Sequence, residues 1–319
     1  GGGWFVAIYL ACIVFVALPI MIAELLIGRT TQRSTVGAIR ALAGRSRAWR
    51  AVGWLAVAAA FLILSYYFVV AGWTLHYVVL AVTGRLPVAG GVSELRATFA
   101  ELHASAGLNV FWQLVFVGLT VAIAAGGVRG GTERCCRVLM PLLLVILAAL
   151  VIQAASGPGF TRGLDFVFGW RAAELTTRGA LEALGHSFFT LSLGMGAMLT
   201  YGSYLRRTDD AVATSMAVAG LDTVVSLLAC ASIFPILFAA GLAPDGGPGL
   251  VFVSIPVALA DLPAGALWTP LFFALLAVAA LASTVGVFEV LVAHLCDEHD
   301  MRRTRACLVA GAGVLLAGV

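Results

Sequence analysis

Lysine does not occur in this chain; all 19 basic residues are arginine. Charge of either sign is scarce, at 11% of 319 residues, where a soluble domain carries about 25%. The net charge of +3 is small, and the side-to-side asymmetry described below accounts for it without a nucleic-acid partner. The six cysteines, Cys12, Cys135, Cys136, Cys230, Cys296 and Cys307, avoid the segments read below as outer loops, so no structural disulfide is expected. The period-two alternation of a membrane β-barrel is missing, as are the repeated carbonyls or charge rings of a channel filter. Glu24, His76, His186, His294 and His299 form no spacing that would build a nucleophile, base or metal cluster, which argues against a membrane enzyme. The turn Cys296-Asp297-Glu298-His299-Asp300 has metal-ligand residue types without ligand spacing, and it reads as a solvated turn.

What is abundant is apolar sequence, 61% of the chain with a mean hydropathy of +1.04. Uncharged runs longer than 18 residues recur, each a membrane-span candidate. The fold class is therefore an all-α polytopic membrane protein in a single transmembrane domain. Eight spans are expected near 4–27, 52–83, 108–127, 137–156, 179–205, 211–241, 264–295 and 304–319. Fourteen arginines fall in the alternate connections that hold Arg29 to Arg50, Arg129 to Arg137, Arg206 to Arg207 and Arg302 to Arg305; five fall on the other side. The positive-inside rule puts the first group in the cytoplasm and both chain ends outside. The chain opens on Gly1 instead of methionine and stops inside LVAGAGVLLAGV. It is expected to be a fragment with at least one span missing, and no signal peptide is read at its start.

Three places in the spans stand out. Residues 186–205 read HSFFTLSLGMGAMLTYGSYL, inside a run without formal charge. Two mid-helix glycines weaken a helix by about 1 kcal/mol each relative to alanine. Either Ser192, Gly194 and Gly196 form a small-residue packing surface, or the helix opens at about 192–196. An opened helix presents C=O groups to a cation and N–H groups to an anion, the arrangement of a midplane transport site. Asp222, in AVAGLDTVVSLL, costs roughly 2.5–3.5 kcal/mol on insertion scales and marks a functional site by default; an acid that snorkels or pairs with arginine is the alternative. Glu24, near the cytoplasmic end of the first span, is tolerable through snorkelling or pairing with the basic loop. The outer segment 242–263 mixes Gly, Pro and apolar residues. It suits a lid folded back into the protein, a surface loop being the alternative.

Five segments then carry a resemblance, in order along essentially the whole chain: GGGWFVAIYL through PIMIAELLIGR, SYYFVVAGWTL (65–75), GGTERCCRVLMP (130–141), FFTLSLGMG (188–196) and GGPGLVFVSIPVAL (246–259). The chain resembles the neurotransmitter:sodium symporter family, bacterial branch. The resemblance implies a leucine-transporter-like core of two inverted repeats, represented here by roughly spans two to nine. It implies a sodium-coupled importer of an amino acid; a transport-inactive amino-acid-binding sensor on the same fold is the alternative, and neither is an enzyme.

Carried over by position, the resemblance implies that Tyr67 binds the substrate carboxylate, Phe189 closes over the substrate, and Thr190 serves both substrate and the first Na⁺. Ser192, Gly194, Met195, Ile63, Ser283 and Val287 would line the side-chain pocket. Met195, where some relatives carry a bulky aromatic, is an adaptable thioether and favours a hydrophobic or aromatic amino acid. Asp222 stands where relatives coordinate the first Na⁺ with asparagine. The second Na⁺ would take the Ala279 carbonyl and the Ser283 hydroxyl, with Ala282 where a second hydroxyl is usual. That departure predicts weaker binding there. Ser226 matches a chloride-binding serine; Asp222, with Ser226 and His186 near it, is expected to supply the negative charge in place of chloride and to be protonated on the return step. Asp297 and Tyr204 match the inner gate. Arginine-only, Ala- and Gly-rich usage suggests a GC-rich bacterial genome, hence the bacterial inner membrane. The oligomeric state is open, a homodimer being one arrangement.

Overall fold

The computed structural model describes residues 2–44, 46–171, 176–244 and 246–318; Arg45 of the basic loop, residues 172–175 of the segment after the fourth span, and Asp245 of the lid segment lie outside them. Thirteen helices are used below: α1 (Gly2–Thr31), α2 (Thr35–Ala43), α3 (Arg47–Val82), α4 (Gly91–Ala104), α5 (Ala106–Ala125), α6 (Val128–Ala155), α7 (Phe160–Phe168), α8 (Thr177–Thr190), α9 (Ala197–Tyr204), α10 (Ala211–Ala239), α11 (Leu250–Ala260), α12 (Gly265–His299) and α13 (Arg303–Ala317). No strand occurs among the described residues.

Six of these helices, α1, α3, α5, α6, α10 and α12, are long and apolar enough to cross a membrane. Their burial is one-sided, and residues such as Phe15, Leu55 and Ile152 stay largely exposed, as on a multi-pass protein whose outer surface is solvated by lipid. The local chemistry explains the helix ends. Ser46, Ser105, Thr176 and Asp210 accept hydrogen bonds from backbone N–H groups two or three residues on, satisfying donors that a helix start leaves free. In α1 the Leu18 N–H reaches back to the Ile13 carbonyl. That widened turn sits just ahead of Pro19, which has no N–H to give.

Three apolar clusters hold the bundle. One joins α3, α5, α12 and α13 around Leu64, Phe68, Phe116 and Phe288. A second joins α1, α8, α10 and the segment between α8 and α9 through Tyr9, Met21, Leu191 and Leu193. The third packs the opposite half of α3 and α12 against α6 and α11. Within it Phe252 of α11 stacks on Phe99, with ring centroids 5.4 Å apart, and meets Trp73, Tyr77 and Phe273. Within the segment 242–263, α11 is thus folded inward, with Phe252, Val253, Ile255 and Leu259 buried.

Candidate functional site

The stretch expected at 179–205 is two helices. α8 ends at Thr190 and α9 begins at Ala197, and between them Ser192, Gly194 and Gly196 all take left-handed φ angles of 53°, 79° and 80°. Such backbone is cheap for glycine and unusual for serine. The break is the opened form of the motif. The small-residue packing alternative is realised on other glycines: a Cβ on Gly28 of α1 would come 2.1 Å from the Leu199 carbonyl oxygen, and one on Gly202 would come 2.5 Å from that of Leu25.

An opened backbone inside a membrane needs protein partners, and two come from far along the chain. The Gly194 N–H donates to Glu24 Oε1 at 2.9 Å. The Thr35 hydroxyl donates to the Gly196 carbonyl at 2.9 Å and lies 3.1 Å from Thr200 Oγ1. Glu24 therefore does not snorkel or pair with the basic loop, as its position suggested. It turns inward and caps the break, because the orphan amide is there. Its other oxygen, Oε2, is buried without a partner among the described residues.

Next to the break lies a cavity of about 240 Å³ formed by α3, α8, α10, α12 and the unwound segment. Among the residues carried over from the resemblance, it gathers Ile63, Tyr67, Phe189, Thr190, Ser192, Met195, Ser283 and Val287, together with Asp222 and His186. Leu64 joins them and was not foreseen. Gly194 does not line it; its N–H faces Glu24. Ala279 does not line it either, and packs at the edge of the third apolar cluster. The Thr190 hydroxyl meets both oxygens of Asp222, at 2.8 and 3.1 Å. The C-terminal end of α8 thus offers backbone carbonyl density beside a carboxylate and a hydroxyl, a cation-favouring set. Thr284 is buried and turned toward α5, 3.3 Å from Thr120 Oγ1, so Ser283 faces the cavity without a neighbouring hydroxyl from Ala282.

Ser226 lies one turn from Asp222 in an adjoining cavity of about 260 Å³, which Tyr9 also lines. His186 borders both cavities, its ring 5.2 Å from that of Tyr9. Tyr9 was missed in the sequence. It is buried, and its hydroxyl has no hydrogen-bond partner among the described residues. A tyrosine in an otherwise apolar run was the available signal, since a buried hydroxyl seeks a partner.

At the arginine-rich end Asp297 and Tyr204 are held by different partners. Asp297 accepts from the Ser34 N–H at 2.7 Å, at the start of α2. The Tyr204 hydroxyl donates to Glu289 at 2.7 Å. Glu289 is fully buried and takes a two-pronged ion pair from Arg303 at 2.9 and 2.6 Å, while Arg303 Nε donates to the Ala124 carbonyl at 2.8 Å. Glu289 was overlooked, although the argument from insertion cost that singled out Asp222 applies to it equally.

Comparison with known proteins falls on one family. The model of the "Sodium:neurotransmitter symporter family" matches residues 1–97 and 95–318. The "Uncharacterized sodium-dependent transporter YhdH" of Bacillus subtilis is 35% identical over 321 residues, covering 100% of this chain and 70% of that protein. An "Uncharacterized sodium-dependent transporter" of Haemophilus influenzae is 32% identical over 326 residues, with 100% and 71% covered. Among solved structures, MhsT in complex with L-phenylalanine superposes with a TM-score of 0.91 at 41% identity, covering 100% of this chain and 72% of that one. A match along the whole chain, on a fold broken at the same kind of unwound helix that the family motif implies, leaves one assignment: the chain belongs to the sodium:neurotransmitter symporter family.

Proposed function

We propose that this member of a family of sodium-dependent transporters imports a hydrophobic or aromatic amino acid, and that the cavity at the break between α8 and α9 holds the substrate and one Na⁺ together. The observation that carries this is the Thr190–Asp222 pair at the C-terminal end of α8, set in a cavity of about 240 Å³. That volume lies below the roughly 300–1,000 Å³ of drug-sized pockets, which favours a small metabolite. One side of the cavity is polar and the other apolar, with Ile63, Met195, Val287 and Phe189 suited to an apolar side chain. MhsT was solved with L-phenylalanine bound, and this supports the same substrate class.

In this reading Tyr67 donates its hydroxyl to the substrate carboxylate, aided by the positive N-terminal end of α9. Thr190 and Asp222 are ligands of the first Na⁺. The Ala279 carbonyl and Ser283 contribute to a second, weakened by Ala282. Because Na⁺ and the carboxylate share one site, each stabilises the bound state of the other, which is the coupling that makes symport possible. Asp222 supplies the negative charge while Na⁺ is bound, so chloride is not required, and it takes up a proton, with His186 beside it, when the empty carrier returns. Asp297 and Tyr204 act at the inner gate, Tyr204 through Glu289 and Arg303. The site alternates its exposure across the bacterial inner membrane, and Na⁺ moving down its gradient gains roughly 2.3 kcal/mol per charge per 100 mV.

The test is uptake of labelled amino acids by the complete protein in proteoliposomes, with an inward Na⁺ gradient against a K⁺ control. Na⁺-dependent accumulation of phenylalanine, leucine or their like is the expected result. Accumulation of only polar amino acids would overturn the substrate class. Binding without accumulation or counterflow would replace transport by sensing, a reading that no observation here favours.

A further inference from the structure

On the outer side of the described helices, a groove of about 550 Å³ runs between α3, α12 and α13. Its walls are apolar, with Trp54, Phe61, Leu62, Leu291 and Val309 among them, and Trp54, Leu62 and Val309 are exposed along its rim. One polar side chain interrupts it. His294 lines the groove, is only 5% exposed, and its Nδ1 has no hydrogen-bond partner among the described residues. The ring stands edge-on to Trp54, with centroids 4.9 Å apart. An unpartnered imidazole nitrogen in an apolar site is costly, so the groove is built for something that brings a polar atom to this depth.

Two of the helices that wall the groove carry arginines at or just before their starts. Arg47 and Arg50 precede Trp54 by seven and four residues, and Arg302 and Arg305 precede Val309 by the same two intervals. On a helix these spacings keep Arg47, Arg50 and Arg305 on the face of the residue that follows, about 6 and 10 Å farther toward the arginine-rich end; Arg302 is the extended residue that precedes α13. All four arginines are exposed. Arg50 donates to the Gly44 carbonyl at 2.6 Å, and none of the four forms an ion pair among the described residues. Of the neighbouring acids, Glu298 is engaged by Arg40 at 2.7 Å and Asp297 by the Ser34 N–H, while Asp300, two residues before Arg302, is exposed.

We propose that this groove seats an acyl chain of an anionic glycerophospholipid from the cytoplasmic leaflet, with the phosphate between Arg47, Arg50, Arg302 and Arg305 and an ester carbonyl at His294. The order of chemistry along the groove is that of such a lipid: phosphate at the arginines, ester one to two turns deeper at His294, hydrocarbon beyond at Phe61 and Leu62. A second copy of the chain would set the same four arginines against themselves across a two-fold axis, and an apolar helix would leave them unpaired. The Trp54 ring at the depth of the ester is the usual place for an interfacial aromatic.

The experiment is native mass spectrometry of the complete protein, equilibrated with dioleoylphosphatidylglycerol or dioleoylphosphatidylcholine. The wild type is expected to retain the anionic lipid several-fold better, with the preference falling as salt rises. The double variant Arg47→Gln/Arg305→Gln should lose about 25-fold in phosphatidylglycerol affinity, roughly fivefold per arginine, with phosphatidylcholine little changed. Ala58→Trp, at an exposed lining position, should fill the groove and weaken both lipids. A phosphatidylglycerol carrying a photoreactive group on its acyl chain should label peptides that contain Leu62 and Val309. Equal retention of the two lipids by the wild type would overturn the proposal without any variant. So would labelling confined to other peptides, which would mean that further polypeptide of the complete protein covers the groove.

Discussion

Replacing Asp222 by asparagine removes a charge while keeping the shape and an oxygen for the Thr190 hydroxyl, which now meets both carboxylate oxygens at 2.8 and 3.1 Å. If Na⁺ binds at this pair, it sits within about 4 Å of the carboxylate. Two unit charges at that distance attract by about 4 kcal/mol at an effective dielectric of 20. At 1.36 kcal/mol per decade, complete loss would cost nearly three decades in Na⁺ affinity. The asparagine carbonyl keeps part of the attraction and water entering the cavity screens another part, so a rise of one to two decades is expected in the Na⁺ concentration for half-maximal uptake. Chloride should partly restore the variant, because the Tyr9 hydroxyl, Ser226 and His186 frame a neighbouring cavity in which an anion could replace the lost charge. The assay is uptake by the complete protein with chloride exchanged for gluconate across a Na⁺ series. Wild-type uptake that rises steeply with chloride at fixed Na⁺, or a variant with unaltered Na⁺ dependence, would refute the reasoning.

Gly196→Ala places a Cβ 2.4 Å from Thr35 Oγ1 on a backbone with φ of 80°; strain of about 1–3 kcal/mol should lower the melting temperature in detergent and sharply reduce uptake. Ala282→Thr should restore a hydroxyl beside Ser283 and lower the Na⁺ concentration needed for half-maximal transport, and unchanged Na⁺ dependence would count against the second-site assignment. Glu289→Ala strands the Arg303 guanidinium and should cost about 3–5 kcal/mol, read as a large fall in melting temperature. The double change Glu289→Met/Arg303→Met removes both charges and should recover much of that stability; if it recovers none, the ion pair is more than a satisfied buried charge.

The opened helix was legible because its cause is local. Ser192, Gly194 and Gly196 lie within five residues, and no apolar span gains from two glycines at its centre unless backbone must leave the helix there. Asp222 was legible for a similar reason, since an acid in hydrocarbon announces its own cost. What satisfies the break was not legible. Glu24 is 170 residues from Gly194, and Thr35 is 161 from Gly196; nothing in either local sequence names its partner. Glu24 in particular reads as a snorkelling acid from its place near a helix end, and only the docking of α1 against α9 through Gly28 and Gly202 turns it toward the orphan amide.

The sequence by itself determined an all-helical membrane protein, the place where one helix opens, and the residue types that meet there, because hydropathy, glycine cost and buried charge act along a single segment. The tertiary structure alone decided which of those residues share a cavity. It drew Tyr67, Thr190, Asp222 and Ser283 from four helices into one space, set Tyr9 beside His186, and tied Tyr204 to Glu289 and Glu289 to Arg303. Partner choice of that kind depends on how helices far apart in the chain pack side by side, a property of the folded chain that no local window of sequence contains.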